Sequence, residues 1–194
     1  MARHYSMNPY CVACRLRLAM CVCALAPRLE LATRVILVIH ASEWGRSSNT
    51  GHLARLAFRN AEVRIHGRPH RFVSNENAYS AAASTFVLYP GRGDTPLTPD
   101  LLRSFPQPAT LLVPDGNWNQ AKAMMSRLPM LRNARSVHLA TPPLPIPGLR
   151  RNSFVERRST FEALAQAMGI LEGMPIERRL LEFFEAYRDG KRGT

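Results

Sequence analysis

The chain has 194 residues, of which 46% are hydrophobic and 21% are charged. A chain of this length is long enough to form one domain with a buried core and a small additional segment. No apolar run reaches the roughly 18 residues of a membrane-spanning helix, so we expect no membrane segment. The stretch 18–26, LAMCVCALA, imitates a secretion signal, but cleavage there would discard all four cysteines of the chain.

The charge balance is strongly basic. Lys and Arg total 26 against 14 Asp and Glu, for a formal net charge of +12. Arg supplies nearly all of the positive charge, since Lys occurs only at positions 122 and 191. The planar guanidinium binds phosphate through two hydrogen bonds at once, so the excess indicates a polyanionic partner such as a nucleic acid. A solvated surface rich in Arg is the alternative.

All four cysteines lie near the N-terminus, at Cys11, Cys14, Cys21 and Cys23. Four thiolates within 13 residues can close a tetrahedral shell around one zinc ion, which leaves no open position for chemistry. We therefore predict a structural zinc knuckle over residues 1–30. Two disulfides or four unligated thiols are the alternatives, but the C-x-C pair and the basic chain favour a reducing, cytoplasmic setting.

Downstream, apolar β-branched runs alternate with helical patterns. The runs predict buried strands at 34–40, 84–90, 109–115 and 136–142, with a shorter candidate at 62–68. Helices are predicted at 50–61, 98–105, 117–128, 160–171 and 177–187, with a polar loop at 41–49 and a Pro-rich connection at 142–148. Ser159 and Glu162 have the spacing of a capping box, which marks a helix start. This alternation predicts an α/β fold, a mostly parallel sheet with helices on both faces.

Unusual polar residues follow the predicted strands. They occupy His40 to Thr50, Leu88 to Gly93, Asp115 to Trp118, and the segment that follows Ala140. In parallel sheets, ligands bind outside the carboxyl ends of the strands. The pattern therefore predicts a binding or catalytic site at this edge, with Asp115 and Trp118 at the lip of a strand-to-helix turn.

Several short blocks, in one order along residues 8–170, resemble the DTW-domain family. Asp115-Gly116-Asn117-Trp118 resembles its Asp-x-x-Trp signature, which would be weak evidence alone. The other blocks are the paired cysteines, His40-x-x-Glu43, Arg46-x-Ser48-Asn49-Thr50-Gly51, Leu88-Tyr89-Pro90, and Ser159-Thr160-Phe161-Glu162-Ala163. Three positions depart from the family pattern: Ser48 and Asn117 stand where Thr is usual, and Pro114 stands where an aliphatic residue is common.

The resemblance implies a SPOUT-like catalytic domain over residues 31–194, with a trefoil knot. It implies transfer of the 3-amino-3-carboxypropyl group of S-adenosylmethionine to N3 of a uridine in tRNA, with release of 5′-methylthioadenosine. Which uridine and which tRNA are modified, and whether the protein is a monomer or a dimer, do not follow from it.

Roles for individual residues follow from the same resemblance. Asp115 is the candidate catalytic residue, either as the base for the uridine N3–H or as the group that binds the donor ammonium; a simple helix cap is the alternative. The expected donor-binding residues, largely through main-chain amides, are Leu88, Tyr89, Pro90, Asp115, Gly116, Trp118 and Thr160. The expected RNA-contacting residues are His40, Glu43, Arg46, Asn49, Thr50, Arg150 and Arg151. Trp44 and Trp118 are candidates for stacking on a base.

Two rival functions remain open from the sequence. One is a SPOUT-like RNA methyltransferase, which uses another carbon of the same donor. The other is a zinc-containing RNA-binding module without catalysis, for which the basic charge and the cysteines would suffice.

Overall fold

A computed structural model describes residues 9–67, 84–89, 95–140 and 158–193. Within them, six strands form one sheet: β1 (Arg34–His40), β2 (Ala61–His66), β3 (Thr85–Leu88), β4 (Thr95–Pro96), β5 (Thr110–Asp115) and β6 (Arg135–His138). The strand order is β2-β1-β5-β3-β6-β4, and every neighbouring pair is parallel. The predicted parallel α/β sheet is confirmed.

The helices of the described residues are α1 (Ala41–Trp44), α2 (Ala54–Ala57), α3 (Pro99–Arg103), α4 (Trp118–Arg127), α5 (Pro129–Arg132), α6 (Thr160–Glu172) and α7 (Met174–Arg192). The capping box predicted at Ser159 is present, because its side chain accepts from the Glu162 amide and the Glu162 carboxylate accepts from the Ser159 amide. No helix in this described part has the length and apolar character needed to cross a bilayer.

Helices cover both faces of the sheet, as the alternation of side chains along β1 shows. Ile36 and Val38 belong to an apolar cluster that contains residues of α4 and α5, such as Met124 and Met130. The odd-numbered residues of β1 point the other way, into a larger cluster with residues of α2, α6 and α7. The continuous apolar run of β1 is explained by this two-sided burial.

Two local predictions were wrong. The segment 41–49 is not wholly a loop, because α1 occupies Ala41–Trp44, with His40 as its N-cap. The predicted helix 50–61 is instead a 3-10 turn at Gly51–Leu53, a single helical turn at α2, and the start of β2. The chain leaves α2 at Phe58, whose backbone is extended, because it must join β2 beside β1. α7 is also longer than the predicted 177–187.

The cysteine segment packs onto the larger of the two apolar clusters. Cys14, Leu16, Val22 and Leu29 are buried in the same apolar cluster as α6 and α7. At Gly190 of α7, a Cβ would lie 2.8 Å from Leu16 Cδ1. The boundary between residues 1–30 and 31–194 stays a prediction. The knot also stays a prediction, since residues 141–157, which join β6 to α6, lie outside the described residues.

Candidate functional site

Asp115 lies at the carboxyl edge of the sheet, at the centre of the strand order. It is the last residue of β5 and pairs in register with Ile39 of β1. Its side chain is only 6% exposed and points to the face that also buries Val113 and Phe161. An Asp that only capped the next helix would have no need of such burial; here the cap of α4 is Asn117.

Two side chains hold the Asp115 carboxylate. Asn49 Nδ2 donates to Asp115 Oδ2 at 2.5 Å, and Thr160 Oγ1 donates to Asp115 Oδ1 at 2.6 Å. The carboxylate thereby joins the loop after α1 to the first residue of α6. The amide of Phe161 also donates to Thr50 Oγ1 at 3.2 Å, so the loop and α6 are connected twice.

The loop comes this close because it carries a glycine. A Cβ at Gly51 would overlap Asp115 Oδ2 and lie 3.2 Å from Leu37 Cδ2. The loop is also held from within, since the His52 amide donates to Asn49 Oδ1 at 3.3 Å. Gly51 is therefore required for the approach of backbone to carboxylate.

Electrostatics at Asp115 favour a basic carboxylate. Burial raises the pKa of Asp115 above its ordinary value, and the nearby charge of Glu43 raises it further. The hydrogen bonds from Thr160 and Asn49 lower the pKa, but by less than burial raises it. Desolvation is thus the largest cause of the shift in the pKa of Asp115.

Glu43, whose charge acts on this carboxylate, forms an ion pair with Arg46. Glu43, in α1, has a side chain only 13% exposed, and its Oε1 is 3.4 Å from Arg46 Nε. The Arg46 side chain is 60% exposed, as a residue that contacts RNA must be. Asn49 differs, because its amide faces Asp115 instead of solvent.

A chain of polar contacts links β1 to α4. His40 Nδ1 is 2.9 Å from Ser42 Oγ, and Gln120 Nε2 donates to the same oxygen at 2.8 Å. Gln120 also accepts from the Asn117 amide in the capping box of α4. These contacts run past Gly116, where a Cβ would lie 3.5 Å from His40 Cβ. Ser42 and Gln120 were missed by sequence reasoning, although the Asn-x-x-Gln spacing was a signal for the capping box.

Two aromatic rings are stacked at this edge. Trp118 and Tyr89 have ring centroids 5.5 Å apart and an interplanar angle of 19°. Trp118 is 53% exposed, so the indole does not anchor α4 to the sheet and keeps surface for another ring. The amide of Tyr89 donates to the Val137 carbonyl at 3.0 Å, and the expected contact of Tyr89 with the donor stays a prediction.

Other predicted site residues fall at different places. Leu88, at the end of β3, is buried at 7% exposure. At Gly116, a Cβ would be 2.9 Å from Gln120 Cβ, so the turn into α4 is tightly packed. Pro90, Arg150 and Arg151 lie outside the described residues.

The four cysteines form one cluster that can hold a metal ion. All four Sγ atoms lie within 4.8 Å of one another, and none forms a disulfide. The Cys11–Cys23 and Cys14–Cys21 pairs are 3.6 and 3.7 Å apart. A tetrahedral site with Zn–S bonds of about 2.3 Å requires sulfurs about 3.8 Å apart. The four thiols are free here and not paired in the disulfides that were the alternative, and the geometry suits a metal with four thiolates.

Comparison with known proteins decides the family. A family model described as the DTW domain matches residues 8–190, which include the cysteine cluster, the carboxyl edge and α6. The chain belongs to the DTW-domain family. The resemblance seen in its short blocks is thereby confirmed.

Known relatives of this DTW-domain protein carry one name. It is 26% identical to a tRNA-uridine aminocarboxypropyltransferase 2 of Drosophila melanogaster over 178 residues, which cover 88% of this chain and 70% of the relative. It is 30% identical over 177 residues to the Mus musculus protein of that name, and these residues cover 87% of this chain and 58% of the relative. With the Macaca fascicularis protein of the same name the identity is 28%, and the match covers 85% of this chain and 57% of the relative. The chain thus spans less than two thirds of the two mammalian relatives. No solved structure is similar enough to count as a match.

Proposed function

We propose that this protein transfers the 3-amino-3-carboxypropyl group of S-adenosylmethionine to N3 of a uridine in tRNA. The names of its relatives support the transferred group, the uridine and the tRNA. The observation that carries the proposal is the buried carboxylate of Asp115 at the ligand-binding edge of a parallel sheet. The net charge of +12 suits an RNA substrate.

In this reaction the uridine N3 forms a bond to Cγ of the donor while the Cγ–S bond breaks. The electron pair of that bond stays on sulfur, so the sulfonium leaves as neutral 5′-methylthioadenosine. The N3 proton must be accepted as attack proceeds. Asp115 is the proposed acceptor, because desolvation raises its pKa, and a positioned base contributes typically about 10²–10⁴-fold.

Asp115 has the capacity for this role. A carboxylate has about four lone-pair positions, and the described contacts from Asn49 and Thr160 occupy one on each oxygen. These two donors hold the carboxylate plane, so a third donor, the N3–H, meets a fixed acceptor. Glu43 adds a second negative charge close by, which suits the donor ammonium.

Trp118 and the positive residues complete the site. The exposed indole, backed by Tyr89, is the proposed surface for stacking the uracil or adenine ring. Arg46 is the proposed contact for an RNA phosphate. The four cysteines are proposed to hold a structural zinc ion, since their spacing fits four thiolates.

One labelling experiment tests the function. The protein is incubated with unmodified tRNA and donor labelled in either the carboxyl or the methyl carbon. We expect the carboxyl label in a uridine of the RNA, and no methyl label. Methyl label in the RNA would establish a methyltransferase instead, and the absence of both labels would leave only RNA binding.

A further inference from the structure

A cleft of about 280 Å³ lies between the cysteine segment and the body of the protein. It is separate from the carboxylate of Asp115 and plays no part in the mechanism above. Its lining residues are Val12, Ala13, Arg15, Trp44, His52, Arg55 and Leu56. Two are arginines, one is a tryptophan, and none is acidic.

Arg15 is held in this cleft by the turn of the cysteine cluster. Its amide donates to the Cys11 carbonyl at 2.8 Å, and its φ of 63° is a left-handed conformation that side chains rarely adopt. The neighbours on both sides, Cys14 and Leu16, are buried. The backbone therefore has little freedom, and the side chain is directed over the body of the protein.

The guanidinium of Arg15 is oriented but lacks an acceptor. Its Cζ lies 4.5 Å from the centre of the Trp44 ring, a cation–π contact that fixes the plane of the fork. Nη1 is buried and has no hydrogen-bond partner among the described residues. A buried charged donor without an acceptor is unfavourable, so an anion in the cleft would supply what is missing.

Arg55 supplies a second positive charge to the same cleft. It is exposed on α2, and no ion pair within the described ranges involves Arg15 or Arg55. Two unpaired guanidinium groups and an indole, without a carboxylate, match a phosphate beside a planar base.

The position of the cleft relates it to the proposed reaction. Asn49 donates to Asp115, and the ring of His52, three residues on, lines the cleft. His52 also reaches back to the cysteine segment, with Nε2 3.3 Å from the Cys14 carbonyl. One short segment therefore connects the proposed proton acceptor, the cleft and the cysteine cluster.

We propose that this cleft binds a backbone phosphate of the RNA substrate, between Arg15 and Arg55, with Trp44 against the adjoining nucleotide. The cysteine cluster then contributes to RNA binding by positioning Arg15. This inference rests on tRNA being the substrate.

Binding of unmodified tRNA to the full chain, measured over a range of salt concentrations, tests the proposal. Arg55→Gln is the decisive variant, because an exposed residue without an ion pair is replaced with little risk to folding. We expect tRNA affinity about 5- to 10-fold weaker and a salt slope smaller by about 0.7–0.9. Arg15→Gln should act in the same direction. Arg132→Gln, an exposed residue of α5 on the opposite face of the sheet, is the matched control and should bind as the unchanged protein does.

Fluorescence provides a second readout. The chain has two tryptophans, and the part of the emission that Trp44→Phe removes is the part that Trp44 reports. tRNA should change the Trp44 emission, and Arg55→Gln should shift that titration to higher tRNA concentrations. Inorganic phosphate serves as the small probe; if it changes the emission while tRNA does not, the cleft is a free-anion site and the proposal is wrong.

The outcomes separate this inference from the proposed function. Salt slopes for Arg55→Gln and Arg15→Gln equal to that of Arg132→Gln, with carboxyl label still transferred, would overturn the cleft assignment alone. Reduced slopes in a protein that transfers no label would overturn the proposed reaction and keep the cleft as an RNA site. If the unchanged protein does not bind tRNA, both are wrong.

Discussion

At the scale of single residues, the decisive feature is the environment of Asp115. Its two oxygens accept from Asn49 and Thr160 at 2.5 and 2.6 Å, while burial raises its pKa. An acid held this way is both fixed in direction and more basic than an exposed one. A proton acceptor needs both properties.

We predict that Asp115→Asn folds but loses transfer by at least about 100-fold. The amide fits the same contacts, with its oxygen accepting from Asn49 and its nitrogen donating to Thr160 Oγ1. Because the folded pKa is raised, the ionised carboxylate costs stability above that pKa, and this cost vanishes as pH falls. The neutral amide lacks this cost, so the unfolding temperature of the variant at neutral pH should equal or exceed that of the unchanged protein. Single-turnover assays with labelled donor and thermal melts measure both; near-normal turnover would refute the role.

The raised pKa also predicts the shape of the pH profile. Asp115 accepts a proton only when ionised, so transfer should fall as pH decreases through its folded pKa, which lies above the unperturbed value of about 3.9. With donor and tRNA saturating, this acid limb should appear in kcat. If the limb appears only in KM for the donor, Asp115 binds the ammonium instead of the proton. Melting curves at each pH control for acid unfolding.

At the scale of elements, the site is built where three segments meet. β5 supplies the carboxylate, the loop after α1 supplies Asn49, and α6 begins at Thr160 with its own capping box. The site therefore depends on how these three segments pack together. At Gly51 the backbone of the loop lies so close to the Asp115 carboxylate that no side chain fits between them.

Gly51→Ala should therefore disturb both stability and transfer. The new methyl group would overlap Asp115 Oδ2, and the loop must move away. We expect a loss of about 1–3 kcal/mol in unfolding free energy and a decrease in transfer of about 10²-fold. Gly45→Ala is the matched control, since nothing lies within 4 Å of its Cβ position and its φ of −88° suits alanine. Equal effects at the two positions would contradict the argument.

At the scale of the whole molecule, the N-terminal segment and α7 are parts of one core. Cys14 and Leu16 are buried with residues of α6 and α7, and Lys191 Nζ donates to the Ser47 carbonyl at 2.6 Å. The cysteine cluster is therefore connected, through α7, to the loop that holds Asp115. We expect a metal ion held by the four cysteines to stabilise more than the first 30 residues.

Metal removal should show this coupling. We predict about one zinc per chain in the reduced protein, lost in Cys14→Ser, with destabilisation above the roughly 0.5–3 kcal/mol of ordinary substitutions. Val12→Ser is the control, because Val12 lies between the ligands but is 91% exposed. Metal analysis and chemical unfolding measure the two effects. A zinc-free protein with unchanged stability would contradict the assignment.

The sequence by itself determined five of the six strands of the described residues, the parallel sheet, the capping box at Ser159 and the cysteine cluster. Each of these follows from local patterning. The five central residues of β1 are apolar because the strand is buried on both faces, and the capping box is recognised from the three-residue spacing of Ser159 and Glu162. The family resemblance also came from short contiguous blocks.

Only the tertiary structure decided what these residues contact. Asn49 and Thr160 lie 66 and 45 residues from Asp115, and no periodicity links such distant positions. The same holds for Arg15 and Trp44, which meet across the cleft, and for α1, whose helical turn is capped by His40. Local patterns report which face of an element is buried, whereas the partner that buries it depends on how the elements pack together.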